Sequence, residues 1–313
     1  MAKVSIVGAG QVGATCAYTL LKNNVADIVL IDVVDGLAKG KALDMMQAGA
    51  IEGYERKIIG TTGYLEAAGS DVIIITAGLA RQPGMSRSDL LGKNAGILRS
   101  VLLNIVPEAP EALIIVVTNP VDVLAHFALK FTNYKPNRVI GMSGVLDSAR
   151  YRYFIAQALD VPMSSVDGIV IGAHGDTMLP VASLTKVDGQ PLTKLISHDK
   201  VREIIDKTRH GGAEIISYLK TGSAFYAPGA SSARMADAIL NDKKEVMPCS
   251  VLAQGEYGIE GIYIGLPVRL GRIGVEEIIE VPLTGAETEA LHQSAASARN
   301  LLAELTDFNS LST

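Results

Sequence analysis

Three groups of residues in this sequence have types and spacings that can do chemistry. The first is Gly8-Ala9-Gly10-Gln11-Val12-Gly13, a G-x-G-x-x-G pattern. It follows the apolar run Val4–Val7 and opens a helical pattern over Val12–Asn23, the context in which such glycines hold a dinucleotide. Gly8 allows the tight turn, Gly10 lets the backbone approach a pyrophosphate, and Gly13 lets helix and strand pack closely. The N–H groups at the helix start, around Gln11 and Val12, then face the phosphates. Asp32 stands 19 residues beyond Gly13, at the end of the run Ile28–Ile31. A carboxylate there accepts from both ribose hydroxyls and repels a 2′-phosphate, which favours NAD over NADP. A plain glycine-rich turn beside a solvated Asp32 is the competing reading, and the four features together weigh against it.

The second group lies in the stretch from Ala77 to Arg87, after the apolar run Val72–Thr76. Gly78, Pro83 and Gly84 oppose regular structure there. The stretch leaves the carboxyl end of an expected parallel strand, where α/β sheets bind ligands. Arg81 and Arg87 can close over an anionic substrate and exclude water, although two solvated surface arginines fit the spacing equally well.

The third group is an acid–base set. Asp147 and Arg150 are three residues apart and share a face if they start a helix, a spacing that an ordinary intrahelical ion pair also satisfies. His174, in Gly172-Ala173-His174-Gly175-Asp176, lies just after the apolar run Val166–Ile171. Its flanking glycines make it accessible to a ligand; a packed or merely exposed histidine is the alternative. Asn119-Pro120 follows the run Leu113–Thr118 at the same expected edge. His126, His198, His210 and His292 lack such a context.

These groups need a scaffold. The runs Val4–Val7, Ile28–Ile31, Lys57–Gly60, Val72–Thr76, Leu113–Thr118 and Val139–Ile140 read as strands. Helical patterns, such as Val12–Asn23 and Leu37–Ala50, lie between most of them. Strands apolar on both faces and separated by helices predict a doubly wound parallel sheet. The second half has strand clusters over Val166–Ser183 and Val246–Leu270, a hairpin turn at Asp188-Gly189, and helices over Asp199–Leu219, Ser231–Leu240 and Ala286–Leu305. The expected fold is therefore α/β, with an N-terminal Rossmann domain (1–143) and an α+β substrate domain (144–313). The change falls near Met142–Val145, and Asn309–Thr313 reads as a frayed end.

Composition removes other classes. Hydrophobic residues make up 48% and charged residues 19%, enough for a large core. A net charge of −5 disfavours a nucleic-acid partner. Two cysteines, Cys16 and Cys249, exclude a disulfide scaffold, have no metal-ligand spacing, and fit cytosolic thiols. The 18 uncharged residues Val4–Leu21 resemble a signal peptide or membrane span in length, but three glycines weaken that reading. No metal and no membrane partner are expected.

Taken together, the residues resemble the lactate/malate dehydrogenase family, and within it the bacterial malate branch built like lactate dehydrogenase. The resemblance covers essentially the whole chain. Its markers are the glycine pattern, Thr118-Asn119-Pro120-Val121-Asp122, Leu146-Asp147-Ser148-Ala149-Arg150, His174-Gly175-Asp176, Lys220-Thr221-Gly222-Ser223-Ala224 and Tyr257-Gly258.

The resemblance implies that His174 takes the hydroxyl proton while hydride leaves C2 for the nicotinamide. It implies that Asp147 fixes the tautomer of His174 and stabilises its imidazolium. Arg150 matches the residue that grips the C1 carboxylate in a two-pronged pair, and Arg87 the one that polarises the carbonyl. Asn119 lies near nicotinamide and substrate, with a cis bond to Pro120, while Asn94 and Thr118 join the cofactor site. Asp32 matches the adenosine-ribose ligand.

Arg81 sets the expected substrate. The lactate branch carries Gln there, and usually Thr where this chain has Ala224. An arginine closed into a dry site needs the second carboxylate of oxaloacetate. Pyruvate would leave it unpaired, at a cost on the order of 3 kcal/mol or about a hundredfold in rate. The expected activity is NAD-dependent oxidation of malate to oxaloacetate by a cytoplasmic homo-oligomer of the tricarboxylic acid cycle, with a tetramer favoured over a dimer. A lactate dehydrogenase, an NAD- and metal-dependent glycosidase and a non-catalytic dinucleotide sensor are the alternatives. A complete His174, Asp147 and triple-arginine set argues against the sensor.

Overall fold

The computed structural model describes residues 2–79 and 87–310, with side chains throughout except at 87–88 and 306–310. The first half runs β1 (Lys3–Val7), α1 (Gln11–Lys22), β2 (Asp27–Ile31), α2 (Leu37–Glu52), β3 (Ile58–Thr61), β4 (Val72–Ile75), α3 (Arg87–Ile105), β5 (Leu113–Val116), α4 (Val121–Thr132) and β6 (Val139–Gly141). Its six strands are parallel, in the order β3-β2-β1-β4-β5-β6. Every residue of β4 and β5 is buried, as expected of strands covered by helices on both faces. The strand order reverses between β1 and β4, so a crevice opens at their carboxyl ends.

The alternation of side chains in β1 and β2 explains the two apolar layers. Val4, Ile6, Ile28 and Leu30 face one layer, and Val7, Val29 and Ile31 face the other. Each buried branched side chain contributes about 1.5–3 kcal/mol. On one face α1 crosses α8 (Tyr226–Leu240) at Gly229, where a Cβ would lie 2.7 Å from Thr15. Glycine permits this close crossing.

The second half begins with α5 (Gly144–Leu159). The strand cluster expected over 166–183 is broken by Gly168, Gly172 and Gly175 into β7 (Val166–Asp167), β8 (Val170–Ile171) and β9 (Leu179–Pro180). These strands join two small separate sheets rather than one ribbon. The hairpin forms between β10 (Lys186–Val187) and β11 (Gln190–Pro191). Asp188 and Gly189 both take positive φ, at 47° and 78°, as a tight hairpin turn requires. There follow α6 (Leu192–Leu195), α7 (His198–Leu219), α8, β12 (Glu245–Gln254), β13 (Glu260–Gly271), β14 (Gly274–Ile278) and α9 (Gly285–Ser310).

The large sheet does not end with the parallel strands. β12 pairs antiparallel with β6, placing Ser250 opposite Gly141, and β13 and β14 continue to a nine-stranded edge. A Cβ at Gly141 would lie 2.7 Å from that of Ser250 and 2.9 Å from Val121. The missing side chain lets strands from the two halves meet beside the start of α4.

Candidate active site

The glycine pattern forms the turn between β1 and α1. Gly8 has φ +107° and donates its N–H to the Ile31 carbonyl at 2.8 Å. A Cβ on Gly13 would lie 1.9 Å from the Gly8 carbonyl oxygen, a collision that only glycine avoids. Among the described residues no atom comes within 4 Å of a Cβ at Gly10, so the backbone there is open to a ligand. Helix α1 begins at Gln11, and the N–H groups of its first turn have no intrahelical acceptor. Asp32 directly follows β2; its carboxylate accepts from the N–H of Ala9 at 2.7 Å and of Val34 at 2.9 Å. Each oxygen keeps further lone-pair capacity for a ribose hydroxyl. Open glycine backbone, free helix N–H groups and this carboxylate fit a dinucleotide.

The ends of β4 and β5 are laced together beside that turn. Asn94 on α3 is buried; its amide joins the backbone N–H and carbonyl of Leu79 to the carbonyl of Asn119, the last at 2.8 Å. Thr118 donates its hydroxyl to the Ala77 carbonyl at 2.7 Å. Asn94 and Thr118 thus hold the loops that would face a cofactor. The Asn119–Pro120 bond is cis. Arg81 and the side chain of Arg87 lie outside the described residues; Arg87 itself opens α3.

The acid–base set comes together where α5 meets the turn after β8. His174 Nδ1 lies 2.8 Å from Asp147 Oδ2. The opposite oxygen, Oδ1, faces Arg150 Nη1 at 3.6 Å, so α5 does place Asp147 and Arg150 on one face. The Asp147 carboxylate thus bridges the His174 ring and the Arg150 guanidinium. Asp147 is almost fully enclosed, whereas His174 and Arg150 side chains keep 14% and 15% exposure. Among the described residues Arg150 Nε has no hydrogen-bond partner. A guanidinium with donors to spare beside an imidazole suits a small carboxylate ligand.

Burial works against the charged imidazolium of His174. The charge and hydrogen bond of Asp147 and the charge of Asp122 outweigh it, with Arg150 opposing, and the imidazole ends above its ordinary value. Burial lowers the Arg150 guanidinium from its usual value, against the Asp147 charge.

The backbone of the His174 turn is pinned at three successive residues. Gly172 exchanges bonds with Gly265 on β13, Ala173 donates to Ser294 Oγ on α9 at 2.8 Å, and His174 donates to Asp122 Oδ2 on α4 at 2.8 Å. Helix α5 is tied to the same region where Ser148 Oγ accepts the Val170 N–H at 2.9 Å. Asp122, Ser250 and Ser294 carry no catalytic signature in sequence. Only Asp122, inside the Asn119-Pro120-Val121-Asp122 stretch, is near a residue that the motifs single out.

A parallel sheet in this strand order, a glycine cradle ending at a carboxylate, and a histidine–aspartate pair beside an arginine define an NAD-dependent dehydrogenase. Residues 2–141 match the lactate/malate dehydrogenase NAD-binding domain and residues 144–309 the alpha/beta C-terminal domain of the same family. The chain belongs to the lactate/malate dehydrogenase family. It is 50% identical over 306 residues to a malate dehydrogenase of Rhodopirellula baltica, covering 97% of each chain. Among solved structures it resembles the malate dehydrogenase of Picrophilus torridus in its apo form (TM-score 0.96, 44% identity, 100% of this chain and 99% of that one). It also resembles the lactate dehydrogenase of Cryptosporidium parvum complexed with lactic acid and nicotinamide adenine dinucleotide (TM-score 0.94, 42% identity, 97% and 98%). Solved structures named malate dehydrogenase and lactate dehydrogenase thus share this fold.

Proposed function

We propose that this chain interconverts L-malate and oxaloacetate with NAD. The His174–Asp147–Arg150 arrangement carries the proposal, because it unites a proton acceptor, its orienting carboxylate and a carboxylate clamp. Bound NAD supplies the hydride acceptor. With Nδ1 engaged by Asp147, His174 presents Nε2 to the substrate hydroxyl and receives its proton as hydride leaves C2. Asp147 stabilises the imidazolium that results. Arg150 binds the C1 carboxylate, Asn119 borders the reacting carbon, and Arg87 polarises the C2 oxygen. Arg81 pairs with the second carboxylate. Gly8, Gly10, Gln11, Val12, Gly13 and Asp32 hold the dinucleotide, with Asn94, Thr118 and Asn119 shaping its nicotinamide end. The malate dehydrogenase relatives support this substrate over lactate.

The proposal includes a cofactor domain over residues 1–143 and a substrate domain over 144–313. It also includes a homo-oligomer, with a tetramer favoured over a dimer. Helix α2 buries only Ala38 and Ala42, while Leu43, Met46 and Ile51 on it and the preceding Val33 and Val34 are exposed apolar side chains, which supports burial against another copy. A cytoplasmic place in the tricarboxylic acid cycle is the matching cellular role, supported by two free, buried cysteines. No helix among the described residues is long and apolar enough to cross a membrane.

The test is NADH absorbance decay with oxaloacetate and, separately, pyruvate under identical conditions. Rapid loss with oxaloacetate alone is expected. Rapid loss with pyruvate overturns the substrate, and loss with neither, despite NADH binding, overturns the dehydrogenase reading.

A further inference from the structure

We propose that Asp122 is a positioning residue of the proton-transfer site: its carboxylate fixes the His174 backbone and sets a second negative charge beside the His174–Asp147 pair. The inference rests on the acid–base role of His174 given above. Asp122 is buried in the first turn of α4, three residues beyond Asn119. Its Oδ2 accepts the His174 N–H at 2.8 Å, and its Oδ1 accepts the Ser250 hydroxyl at 2.5 Å. Three distant stretches meet at this one side chain: α4 from the first half, the His174 turn and β12 from the second.

Both oxygens face donors, the pattern that an ionised carboxylate satisfies without giving up a proton. Burial leaves the Asp122 carboxyl above its ordinary value, while the Ser250 and His174 bonds and the His174 charge work against that rise and favour the ionised form. Among the described residues, the charged groups acting on the imidazole are Asp147 and Arg150 from α5 and Asp122 from α4. Among the described residues only Asp147 bonds the ring, so Asp122 acts through the backbone and through its charge. Because α4 starts directly after Asn119-Pro120, the same carboxylate also ties the histidine to the loop that borders the reacting carbon. Shape alone needs only an acceptor at this place, and an amide oxygen would serve. The carboxylate adds the charge, and that difference can be measured.

The experiment compares wild type, Asp122→Asn and Asp147→Asn. The His174 imidazole is titrated by nuclear magnetic resonance, and kcat/KM for oxaloacetate is followed against pH. Asp122→Asn keeps an oxygen acceptor for the His174 N–H. It is expected to lower the His174 pKa by on the order of one unit, a tenfold change in proton affinity, and to move the kcat/KM profile the same way. NADH affinity should stay within about twofold. An unchanged imidazole titration in Asp122→Asn overturns the proposal, even if activity falls uniformly at every pH, since that is what a packing role alone produces. The titration does not depend on substrate, so failure of wild type to turn over oxaloacetate would overturn the functional reading without deciding this one. Should Asp122→Asn not fold, Ser250→Ala replaces it. Loss of the Oδ1 donor is expected to lower kcat several-fold with the NADH Kd unmoved, and a wild-type kcat in that variant overturns the proposal.

Discussion

Lys41 on α2 donates from Nζ to the carbonyl of Ala9 at 2.7 Å, while the N–H of the same Ala9 is held by Asp32. The second residue of the glycine turn is thus gripped on both sides by a cation and a carboxylate. Lys41 also reaches the Gly10 carbonyl at 3.4 Å. This fixes the peptide from which the open backbone of Gly10 and the first turn of α1 depart. Lys41→Met is expected to weaken NADH binding about three- to tenfold, the worth of one charge-assisted bond, with little change in kcat at saturation. The chain has no tryptophan, so NADH fluorescence reads the titration directly. An unaltered Kd would show that the clamp is idle.

Gly13→Ala should damage both fold and cofactor site. The added carbon would sit 1.9 Å from the Gly8 oxygen and 2.9 Å from Thr76 Oγ1, and neither backbone nor strand can yield freely. Overpacking of this kind costs about 1–3 kcal/mol, or a Tm fall of several degrees. Thermal unfolding with and without NADH checks this: the variant should lose most of the stabilisation that NADH gives the wild type.

His174→Asn should bind NADH normally yet lose turnover by about a hundred- to ten-thousandfold, the range of positioned proton transfer. NADH binding with retained turnover would remove His174 from the reaction.

The raised imidazole of His174 fixes the sign of the pH dependence. Reduction of oxaloacetate needs the imidazolium, so its rate should be highest below the raised value and fall above it. Oxidation of malate needs the neutral ring and should rise over the same interval. Asp147→Asn should shift both limbs to lower pH. The same linkage gives a folding contribution that is complete below the ordinary value of 6.5 and is lost as pH rises through the folded-state value. Rate profiles in both directions that share one midpoint, displaced by Asp147→Asn, are the expected result.

Arg81→Gln should change the substrate rather than the chemistry. Removing the proposed partner of the second carboxylate is expected to shift the ratio of oxaloacetate to pyruvate kcat/KM towards pyruvate by about a hundredfold. An unchanged ratio would locate specificity elsewhere.

Much of this molecule is legible from local order. The glycine turn is a strand–turn–helix unit whose parts lie within a few residues, so its steric demands are written directly into Gly8, Gly10 and Gly13. Alternating apolar runs and helical periods likewise predict the parallel sheet, because each element's burial pattern reflects its own repeat. Asp147 and Arg150 are readable for the same reason, three residues apart on one helix. The pairing of Asp147 with His174 is different: motif resemblance implies it, but folding alone brings α5 and the β8 turn to 2.8 Å. Nor does periodicity show that β12 extends the first-half sheet through β6, that Lys41 reaches back to Ala9, or that Ser250 meets Asp122 across 128 positions. Such contacts leave no local repeat, since they depend on how whole layers stack. Residue types and short spacings determined the chemistry available to this chain. Close packing of distant elements, made possible where Gly141 and Gly229 lack side chains, decided which groups stand together to perform it.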